Sequence, residues 1–538
     1  AQVRSWDLSG SSGPASSADG SRGMVWCRLL INLLAALSVP FAEANDIKVL
    51  FLQNRLQSNG WKEGFYDFFV PFLDGAGGLT VGNAKYRLNV SVCEENLDAS
   101  VEAIGTTLQR CIDSDIDVMV VGSSQYNNQI KDAAQEQQIP NLHCSGGSIP
   151  LSWTSSPYAF GLELSITLYS QQVIRQAAFR RLTSAVIIRN VDSEVQKVSA
   201  VSSSEWIRES RGIQLVGPSV SWCNRWAAQT KSCSIRNNQC RCGSQSEFDA
   251  LGYKYNITSE PSFYEVSESE VVEAGFNSTG DFISIALMAF VEGIIEDVRS
   301  QGVDPDIVLN LLTAARSGLA AMMNKRFKYQ MYYGGPNSPG RAWNGYESFF
   351  PNGTVAFGKA EAMYNLGAGQ WHPELRFSDP IFGSSEAMVQ GYKSQFGKAP
   401  SSDSASCVAA GVSLAHSLEK YGQSLMGNIS QRREEIRMAL GQLQDETFFG
   451  RIHFDRKNQN IGRLPITWQV LEDGNDRPVF PPELVVDDFR FPSPDWSVRL
   501  GCPAGTYAAG SMLPTECTPC QEGTFRSTPT APLEFSQC

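Results

Sequence analysis

The feature that most constrains the fold is an alternation of short apolar strands and amphipathic helices, which occurs twice along the chain. The segments IKVLFLQN (residues 47–54) and IDVMVVG (116–122) are apolar, and phenylalanines at helical spacing follow the first of them. The order restarts beyond Tyr158, with SAVIIRN (184–190) and DIVLNLL (306–312). Strands that are apolar on both faces are typical of parallel sheets covered by helices on each side. The sequence therefore predicts an α/β protein with two lobes.

Length and charge narrow the class of protein. A chain of 538 residues is long enough for three or four folding units at roughly 150 residues each. The formal net charge is −12, whereas a protein that binds nucleic acid needs a basic surface to displace counterions. We therefore expect no nucleic-acid partner.

An amino-terminal segment has the pattern of a secretory signal peptide. From Met24 it reads MVWCRLLINLLAALSVPFAEA, with one arginine, an apolar run and a small-x-small end at Ala44. The apolar run is shorter than the roughly 20 residues needed to span a bilayer. We therefore expect residues 1–44 to be an upstream segment plus signal peptide, and the mature chain to begin at Asn45. This predicts a protein that is secreted or lies on the extracellular face of the plasma membrane.

The cysteine count agrees with an oxidising compartment. Of thirteen cysteines only Cys27 precedes Asn45, and the remaining even number favours disulfides. Five N-x-S/T sequons are compatible with a secreted glycoprotein. The sequence does not decide the pairing within two groups: Cys93, Cys111, Cys144 and Cys407 in the lobes, and Cys223, Cys233, Cys240 and Cys242 in a loop-like insertion. For the insertion, disulfides are favoured over a metal site.

Four segments, in order, resemble a known family. They are IDVMVVGSS, then IPNLHCSGGSIP, then DIVLNLL followed by YQMYYGG, and finally ETFFGRIHFDRKNQNIGRLPITWQVLEDG (446–474). Together they are similar to the periplasmic leucine/isoleucine/valine-binding proteins. The same fold supplies the ligand-binding regions of metabotropic glutamate and natriuretic peptide receptors.

The resemblance implies a two-lobed type I periplasmic-binding fold, with parallel sheets flanked by helices and a multi-strand hinge. A small disulfide-rich tail comes after it. The implied domains are the bilobed domain 45–485 (lobe 1 about 46–158 and 385–450; lobe 2 about 159–384 and 451–483), a linker 486–499 and a cysteine-rich repeat 500–538.

Lobe 1 offers small polar residues where strands end. Ser123 and Ser124 come directly after an apolar strand and begin a predicted helix, so their hydroxyl and N–H groups suit an anion. The glycines of the turn Ser145-Gly146-Gly147-Ser148 allow backbone to approach a ligand closely. By the resemblance, Gly146 and Ser148 hold the α-amino and carboxylate groups of the ligand. Helix capping is the alternative role for the serines.

Lobe 2 departs from the family pattern. The position of the family's acidic residue, which pairs with the ligand ammonium, is Arg316 here, and a cation there would repel an ammonium. The position of the family's tyrosine is Glu194, with Asp192 just before it. Either Asp192 or Glu194 binds the ammonium, or the ligand is not an ordinary neutral amino acid. Arg316 could also be a solvated arginine at a helix start.

The tail spacing C-x14-C-x2-C-x17-C resembles the cysteine-rich ephrin-receptor-like repeats of extracellular proteins. That resemblance implies the disulfides Cys502–Cys517 and Cys520–Cys538, although four cysteines allow three pairings. Zinc at Cys517 and Cys520 is the competing interpretation, and no histidine flanks them.

No catalytic motif is present in the sequence. The four histidines do not form an H-x-x-x-H pair, and neither a G-x-S-x-G elbow nor a phosphate-binding loop occurs. We therefore expect no enzyme activity and no cofactor.

The sequence predicts the ectodomain of a receptor that binds an amino acid or similar small polar molecule. The protein could form a homodimer, and membrane attachment is expected only through a segment beyond the chain end. The alternatives are an adhesion or matrix protein without a ligand, and a soluble binding protein for uptake.

Overall fold

The structure is a computed structural model. It describes residues 45–54, 60–95, 106, 108, 110–112, 115–122, 127–145, 156–226, 233–243, 245–250, 263–272, 283–336, 348–349, 355–357, 362–496, 506–508 and 517–519. The chain divides into the units Ala1–Asn45 and Asp46–Cys538, and apart from Asn45 every element below lies in the second.

The strands are short, as the apolar segments predict. In chain order they are β1 Asn45–Asn54, β2 Leu79–Val81, β3 Ala84–Glu95, β4 Val118–Gly122, β5 Asn141–His143, β6 Ala159–Leu164, β7 Ser184–Asn190, β8 Gln214–Leu215, β9 Ser234–Arg236, β10 Gln239–Arg241, β11 Tyr264–Val266, β12 Ile307–Leu311, β13 Met331–Pro336, β14 Ser348–Phe349, β15 Val355–Phe357, β16 Leu366–Gly369, β17 Ser378–Asp379, β18 Gly383–Ser384, β19 Gln444–Thr447, β20 Gly450–His453, β21 Gln459–Asn460, β22 Ile466–Val470, β23 Asp476–Phe480, β24 Thr506–Ala508 and β25 Cys517–Pro519.

The first helix, α1, is continuous through Gly60–Lys62, the π-helical Glu63–Phe69 and Val70–Gly75. The other α-helices are α2 Asn127–Glu136, α3 Gln171–Phe179, α4 Glu194–Glu209, α5 Val220–Trp226, α6 Gln245–Ala250, α7 Glu268–Val271, α8 Ile285–Ser300, α9 Ala315–Asn324, α10 Ser385–Phe396, α11 Ser402–Tyr421 and α12 Ile429–Gly441. Short 3₁₀ turns span Ile166–Leu168 and Pro482–Leu484.

Two separate sheets form the framework of the fold. The first has the strand order β2-β3-β1-β4-β5-β6-β21, and β1, β4, β5 and β6 pair in parallel. The second has the order β11-β7-β12-β13-β16-β22-β23, with β8 paired to β7. Its first five strands are parallel, whereas β22 and β23 are antiparallel to their neighbours. This confirms the predicted fold class.

The first sheet is covered by α11, which is buried over most of its length and packs against α1. The two helices approach backbone to backbone, because glycines lie at both contact points. A Cβ at Gly411 would lie 2.2 Å from the Phe69 ring, and one at Gly64 would lie 2.2 Å from the carbonyl oxygen of Ser404. No larger residue fits at either glycine without a shift of the helices.

The chain crosses between the sheets three times: after β6, after β16 and between β21 and β22. Hydrogen bonds from side chains connect the three crossing segments to one another. Gln370 accepts a 2.7 Å hydrogen bond from the N–H of Leu164 and donates to its carbonyl at 3.0 Å. Arg463 donates to the carbonyl of Gln370 and, at 2.8 Å, to that of Phe449. These contacts make up the multi-strand hinge.

The sheets do not divide the chain at the positions expected for the lobes. The strand β6, assigned to lobe 2 by the boundary at 158, extends the first sheet, because it pairs with β5 and buries Phe160 and Leu162 in the first core. The segment 371–382 also packs there through Trp371 and Leu375. The same holds for Ile452 and for β21, which were expected in lobe 2. The crossings after β6 and after β21 therefore fall later in the chain than the sequence suggested, whereas the crossing after β16 falls earlier.

A related correction concerns α3. The sequence pattern predicts a helix from Leu164, but Leu164 ends β6 and α3 begins only at Gln171. Ser165 starts the intervening 3₁₀ turn by accepting a hydrogen bond from the N–H of Thr167. Leu164 pairs with Asn460 of β21, and this strand pairing overrides the local helical pattern.

Candidate functional site

The carboxyl ends of β1, β4 and β5 lie at one edge of the first sheet, as the register shows. Gln53 is level with Gly122, and Val121 is level with His143. The lobe 1 residues that the sequence singled out come after these strand ends but lie outside the described residues, so their role stays a prediction: Ser123, Ser124, Gly146, Gly147 and Ser148.

Two buried polar groups at this edge were missed by the sequence reasoning. The side chain of Gln53 is 1% exposed, and its Oε1 atom has no hydrogen-bond partner within the described part of the chain. The same is true of the indole N–H of Trp61. Trp61 covers Gly122, where a Cβ would lie 2.9 Å from the Trp61 Cβ. Buried polar groups are normally paired, so these two are candidate contacts for a bound molecule.

A disulfide anchors the start of the predicted glycine turn. Cys144, the residue after β5, is bonded to Cys407 in α11, with 4.8 Å between their Cα atoms. The neighbouring Ser406 hydroxyl donates a 2.5 Å hydrogen bond to the carbonyl of Cys144. The chain leading into Ser145 is therefore held against α11 both covalently and by a hydrogen bond.

His143 lies close to this edge but is a structural residue. Its ring is fully buried and is 2.7 Å from the side-chain oxygen of Asn141. Burial lowers the pKa of His143 to about 3, so the imidazole is neutral at physiological pH. It contributes no charge to a ligand.

At the second sheet, three neighbouring strands end in one hydrogen-bonded network. Asn190 ends β7, Glu268 lies just after β11 and Thr313 just after β12. The Asn190 amide donates to the Thr313 hydroxyl at 2.9 Å, and the Glu268 carboxylate accepts from the Thr313 N–H at 2.7 Å. Because parallel strands end at the same edge, residues distant in sequence meet here.

Asp192 is fixed at the border of this network while remaining exposed. Its carboxylate accepts hydrogen bonds from the Ser267 hydroxyl at 3.0 Å and from the Ser269 N–H at 2.8 Å. Its own N–H donates to the side-chain oxygen of Asn190 at 2.9 Å. The carboxylate is thus pre-oriented at the strand ends, which suits it to bind a cation.

Glu268 is a second acid beside Asp192, and it is 6% exposed. Burial raises the pKa of Glu268 to about 7, against the lowering effect of the hydrogen bonds from Thr313 and Ala314. The negative charge of Asp192 raises it further. Glu268 is therefore partly protonated at neutral pH. Sequence patterns gave no indication of this residue.

The other two lobe 2 residues that the sequence singled out, Glu194 and Arg316, have surroundings that differ from those of Asp192. Glu194, in the first turn of α4, is 54% exposed and lies 3.6 Å from the ammonium of Lys197, an ordinary ion pair along a helix surface. Arg316 is half-buried in the first turn of α9, three residues beyond Thr313. Of the two acids that the sequence offered, Asp192 is the one within the network.

A buried ion pair lies next to the network in the same strands, because Arg189 precedes Asn190 in β7 and Glu265 lies in β11. Arg189, with its side chain fully buried, donates to the carboxylates of Glu265 and, at 3.0 Å, of Glu247. Its guanidinium lies 4.2 Å from the centre of the Phe263 ring. The pair between Arg189 and Glu265 links β7 to β11.

The insertion contains disulfides, as the sequence favoured. Cys223 is bonded to Cys240, and Cys233 to Cys242. Cys233 and Cys242 also approach Glu265 closely enough to suggest a metal site, but sulfurs joined in a disulfide offer no thiolate ligand. In the lobes, Cys93 is bonded to Cys111. The tail disulfides, Cys502–Cys517 and Cys520–Cys538, involve residues outside the described part and stay predictions.

Comparison with solved structures agrees with the fold. A substrate-binding protein of an ABC transporter from Desulfitobacterium hafniense superposes with a TM-score of 0.53 at 14% identity, over 81% of this chain and 100% of that chain. A branched-chain amino acid transporter substrate-binding protein from Streptococcus pneumoniae, in complex with isoleucine, gives 0.52 at 13% identity, with coverage of 81% and 100%. An extracellular ligand-binding receptor from Verminephrobacter eiseniae gives 0.53 at 10% identity, with coverage of 80% and 99%.

These likenesses define the class by its fold: a type I periplasmic-binding fold of two lobes. At 10–14% identity they carry no ligand to this chain. No protein-family model matches the sequence. Within the described residues, no helix has both the length and the apolar character required to cross a bilayer.

Proposed function

We propose that this chain is an extracellular binding protein that holds an amino acid or a similar small zwitterion between the carboxyl edges of its two sheets. One observation carries the proposal. Asp192 is an exposed carboxylate held by two serines at the point where β7, β11 and β12 end. In open α/β sheets, ligands bind outside the carboxyl ends of the strands.

The two edges differ in chemistry in the way a zwitterion requires. On the second sheet, Asp192 can pair with an ammonium. On the first sheet, the small residues after β4 and β5 can offer N–H and hydroxyl groups to a carboxylate, and Gln53 and Trp61 add one acceptor and one donor. Each ligand charge thereby gains an opposite partner or a dipole. Solved structures of this fold in complex with leucine or isoleucine support a ligand of this class.

The finer role, in the ectodomain of a cell-surface receptor, is part of the same proposal. It rests on the signal-like segment before Asn45, the four disulfides of the described chain and the cysteine-rich pattern beyond residue 500. A soluble uptake protein would share the binding site but would have no membrane anchor and no signalling domain.

Calorimetry of the secreted protein against the common amino acids tests the binding proposal. Replacement of Asp192 by Asn should weaken the best ligand about ten- to a hundredfold, because a charge-assisted hydrogen bond is worth roughly 1.5–3 kcal/mol. Glu194→Gln is the matched control, since it removes an acid two residues away that is engaged on the helix surface. If no amino acid binds, the adhesion alternative takes the place of this proposal. If the two variants weaken binding equally, Asp192 is not the partner of the ligand ammonium.

A further inference from the structure

A cavity of about 510 Å³ lies on the flank of the second sheet, away from its carboxyl edge. It is enclosed by the end of β8, the start of α5, the turn and second strand of the β9–β10 hairpin, and the end of α8. Gln214, Asn238 and Gln301 are exposed members of its lining, so the cavity opens to solvent. The described residues that line it are Gln214, Leu215, Val216, Gly217, Pro218, Ser219, Val220, Asn238, Gln239, Cys240, Arg241, Gln301 and Val303.

Arg241 is the charged residue in this lining, and no described residue neutralises its charge. It is 7% exposed, and no carboxylate of the described residues lies within ion-pair distance. One guanidinium nitrogen, Nη2, donates to the side-chain oxygen of Gln239, whereas Nε has no hydrogen-bond partner. A buried guanidinium that lacks a counter-charge is costly, since burial removes its hydration.

The same lobe shows how a buried arginine is ordinarily accommodated. Arg189 is equally enclosed, and two carboxylates, from Glu265 and Glu247, neutralise it. Asp297 contacts two residues of the lining but is engaged with other donors: it accepts hydrogen bonds from the Ser219 N–H, the Tyr264 hydroxyl and the Gln301 amide. Among the described residues, Arg241 therefore has no acidic partner.

The cavity is also covalently held. Both chain neighbours of Arg241 are disulfide-bonded, Cys240 to Cys223 in α5 and Cys242 to Cys233 before β9. The backbone that carries Arg241 is thereby held in place before any ligand arrives, which lowers the ordering cost of binding.

The sequence around the cavity is basic within an acidic protein. Residues 210–246 contain no aspartate or glutamate, and the net charge of the whole chain is −12. The cations of this segment are Arg211, Arg225, Lys231, Arg236 and Arg241. Most of the lining comes from this segment, so the lining residues themselves contribute positive charge and no negative charge.

We propose that this cavity is a second ligand site, which binds a small monocarboxylate with an apolar body. The carboxylate pairs with the guanidinium of Arg241. The body lies against the aliphatic side chains of the lining, among them Leu215, Val220 and Val303. A cavity of this size holds a molecule of amino-acid to dipeptide dimensions. The site is separate from the proposed cleft site and does not depend on it.

Titration of the secreted protein with phenylacetate and with phenylacetamide, followed by calorimetry and ligand-observed NMR, tests the proposal. The acid should bind at least about tenfold more tightly than the amide, because only the acid offers a counter-charge to Arg241. Arg241→Gln should reduce binding of the acid at least about tenfold. Arg236→Gln is the matched control: it removes an exposed arginine of the same hairpin that does not line the cavity, and binding should stay unchanged.

A second variant keeps the test valid if Arg241→Gln does not fold. Val303→Phe fills the cavity and leaves Arg241 intact, and it should also abolish binding. Equal binding of acid and amide overturns the proposal, as does an equal loss with Arg236→Gln, which would indicate only diffuse charge. Absence of phenylacetate binding up to about 10 mM overturns it as well.

Discussion

The carboxylate of Glu268 accepts a 2.7 Å hydrogen bond from the backbone N–H of Thr313, which joins the ends of two strands that are not neighbours in the sheet. Between β11 and β12 lies β7, and its last residue, Asn190, contacts both partners. A single buried acid thus organises the edge at which we place the ligand.

The first prediction concerns the pH dependence of stability. The pKa of Glu268 is about 7 in the folded protein against an ordinary value of 4.5, so between these values the folded state keeps a proton that the unfolded state releases. Its contribution to the free energy of unfolding therefore falls as the pH rises through this window and is constant above it. The variant Glu268→Gln has no carboxyl group to titrate at this position, so its free energy of unfolding does not fall for this reason. Its stability relative to wild type should rise by up to about 3 kcal/mol between about pH 5 and pH 8.

Urea unfolding of both proteins across this range measures the difference. The buried His143 acts in the opposite direction as the pH falls, but it is present in both proteins and cancels in the comparison. A difference that does not change with pH would contradict the pKa of Glu268.

The second prediction concerns the disulfide between Cys144 and Cys407, which spans 263 residues. Its replacement by two alanines should destabilise the protein by about 2–5 kcal/mol, because the unfolded chain gains the entropy of a long open loop. The pair Cys93–Cys111, which spans 18 residues, is the matched control and should cost about 2 kcal/mol less. Chemical denaturation of the two double variants measures the loss of unfolding free energy in each. A larger loss for the variant without Cys93–Cys111 would refute the expected order.

The third prediction concerns the hinge. Arg463 donates hydrogen bonds to the carbonyls of Gln370, Phe449 and Leu464, and burial lowers its pKa to about 10. Arg463→Met keeps the aliphatic stem and leaves these carbonyls without their donor, so it should lower the unfolding free energy by about 3 kcal/mol.

The exposed Arg456, seven residues earlier, provides a matched control for that experiment. Arg456→Met should change the midpoint of thermal unfolding very little. Equal effects of the two substitutions would show that the crossings do not depend on the Arg463 hydrogen bonds.

The fourth prediction concerns ligand choice and Arg316. If Arg316 contacts the ligand, Arg316→Glu should weaken an acidic amino acid more than a hundredfold, since a charge-assisted contact worth roughly 1.5–3 kcal/mol is lost and a repulsion is added. A neutral amino acid should lose much less. The ratio of the two affinities, measured by calorimetry, is the readout, and an unchanged ratio would assign Arg316 to the helix surface.

Local sequence was sufficient for elements whose character is set by their own residues. The segment SAVIIRN is β7 residue for residue, and DIVLNLL contains β12, because apolar runs bounded by polar residues identify buried strands. The apolar segment FISIALMAFVEGIIEDVRSQ (282–301), whose pattern predicts an element of the second lobe, contains α8. Leu164 fitted either a helix or a strand, and its pairing with Asn460 of β21 placed it in a strand.

The sequence by itself determined the alternation of strands and helices, the class of fold and the expectation of disulfides. Tertiary structure alone decided which partners meet: Cys144 with Cys407, Glu268 with Thr313, and Arg241 with no acid in the described chain. The reason is physical. Secondary structure is set by periodicity between near neighbours, whereas the pKa of a carboxyl, the pairing of a thiol and the cost of a buried charge depend on burial and on distances between residues far apart in the chain.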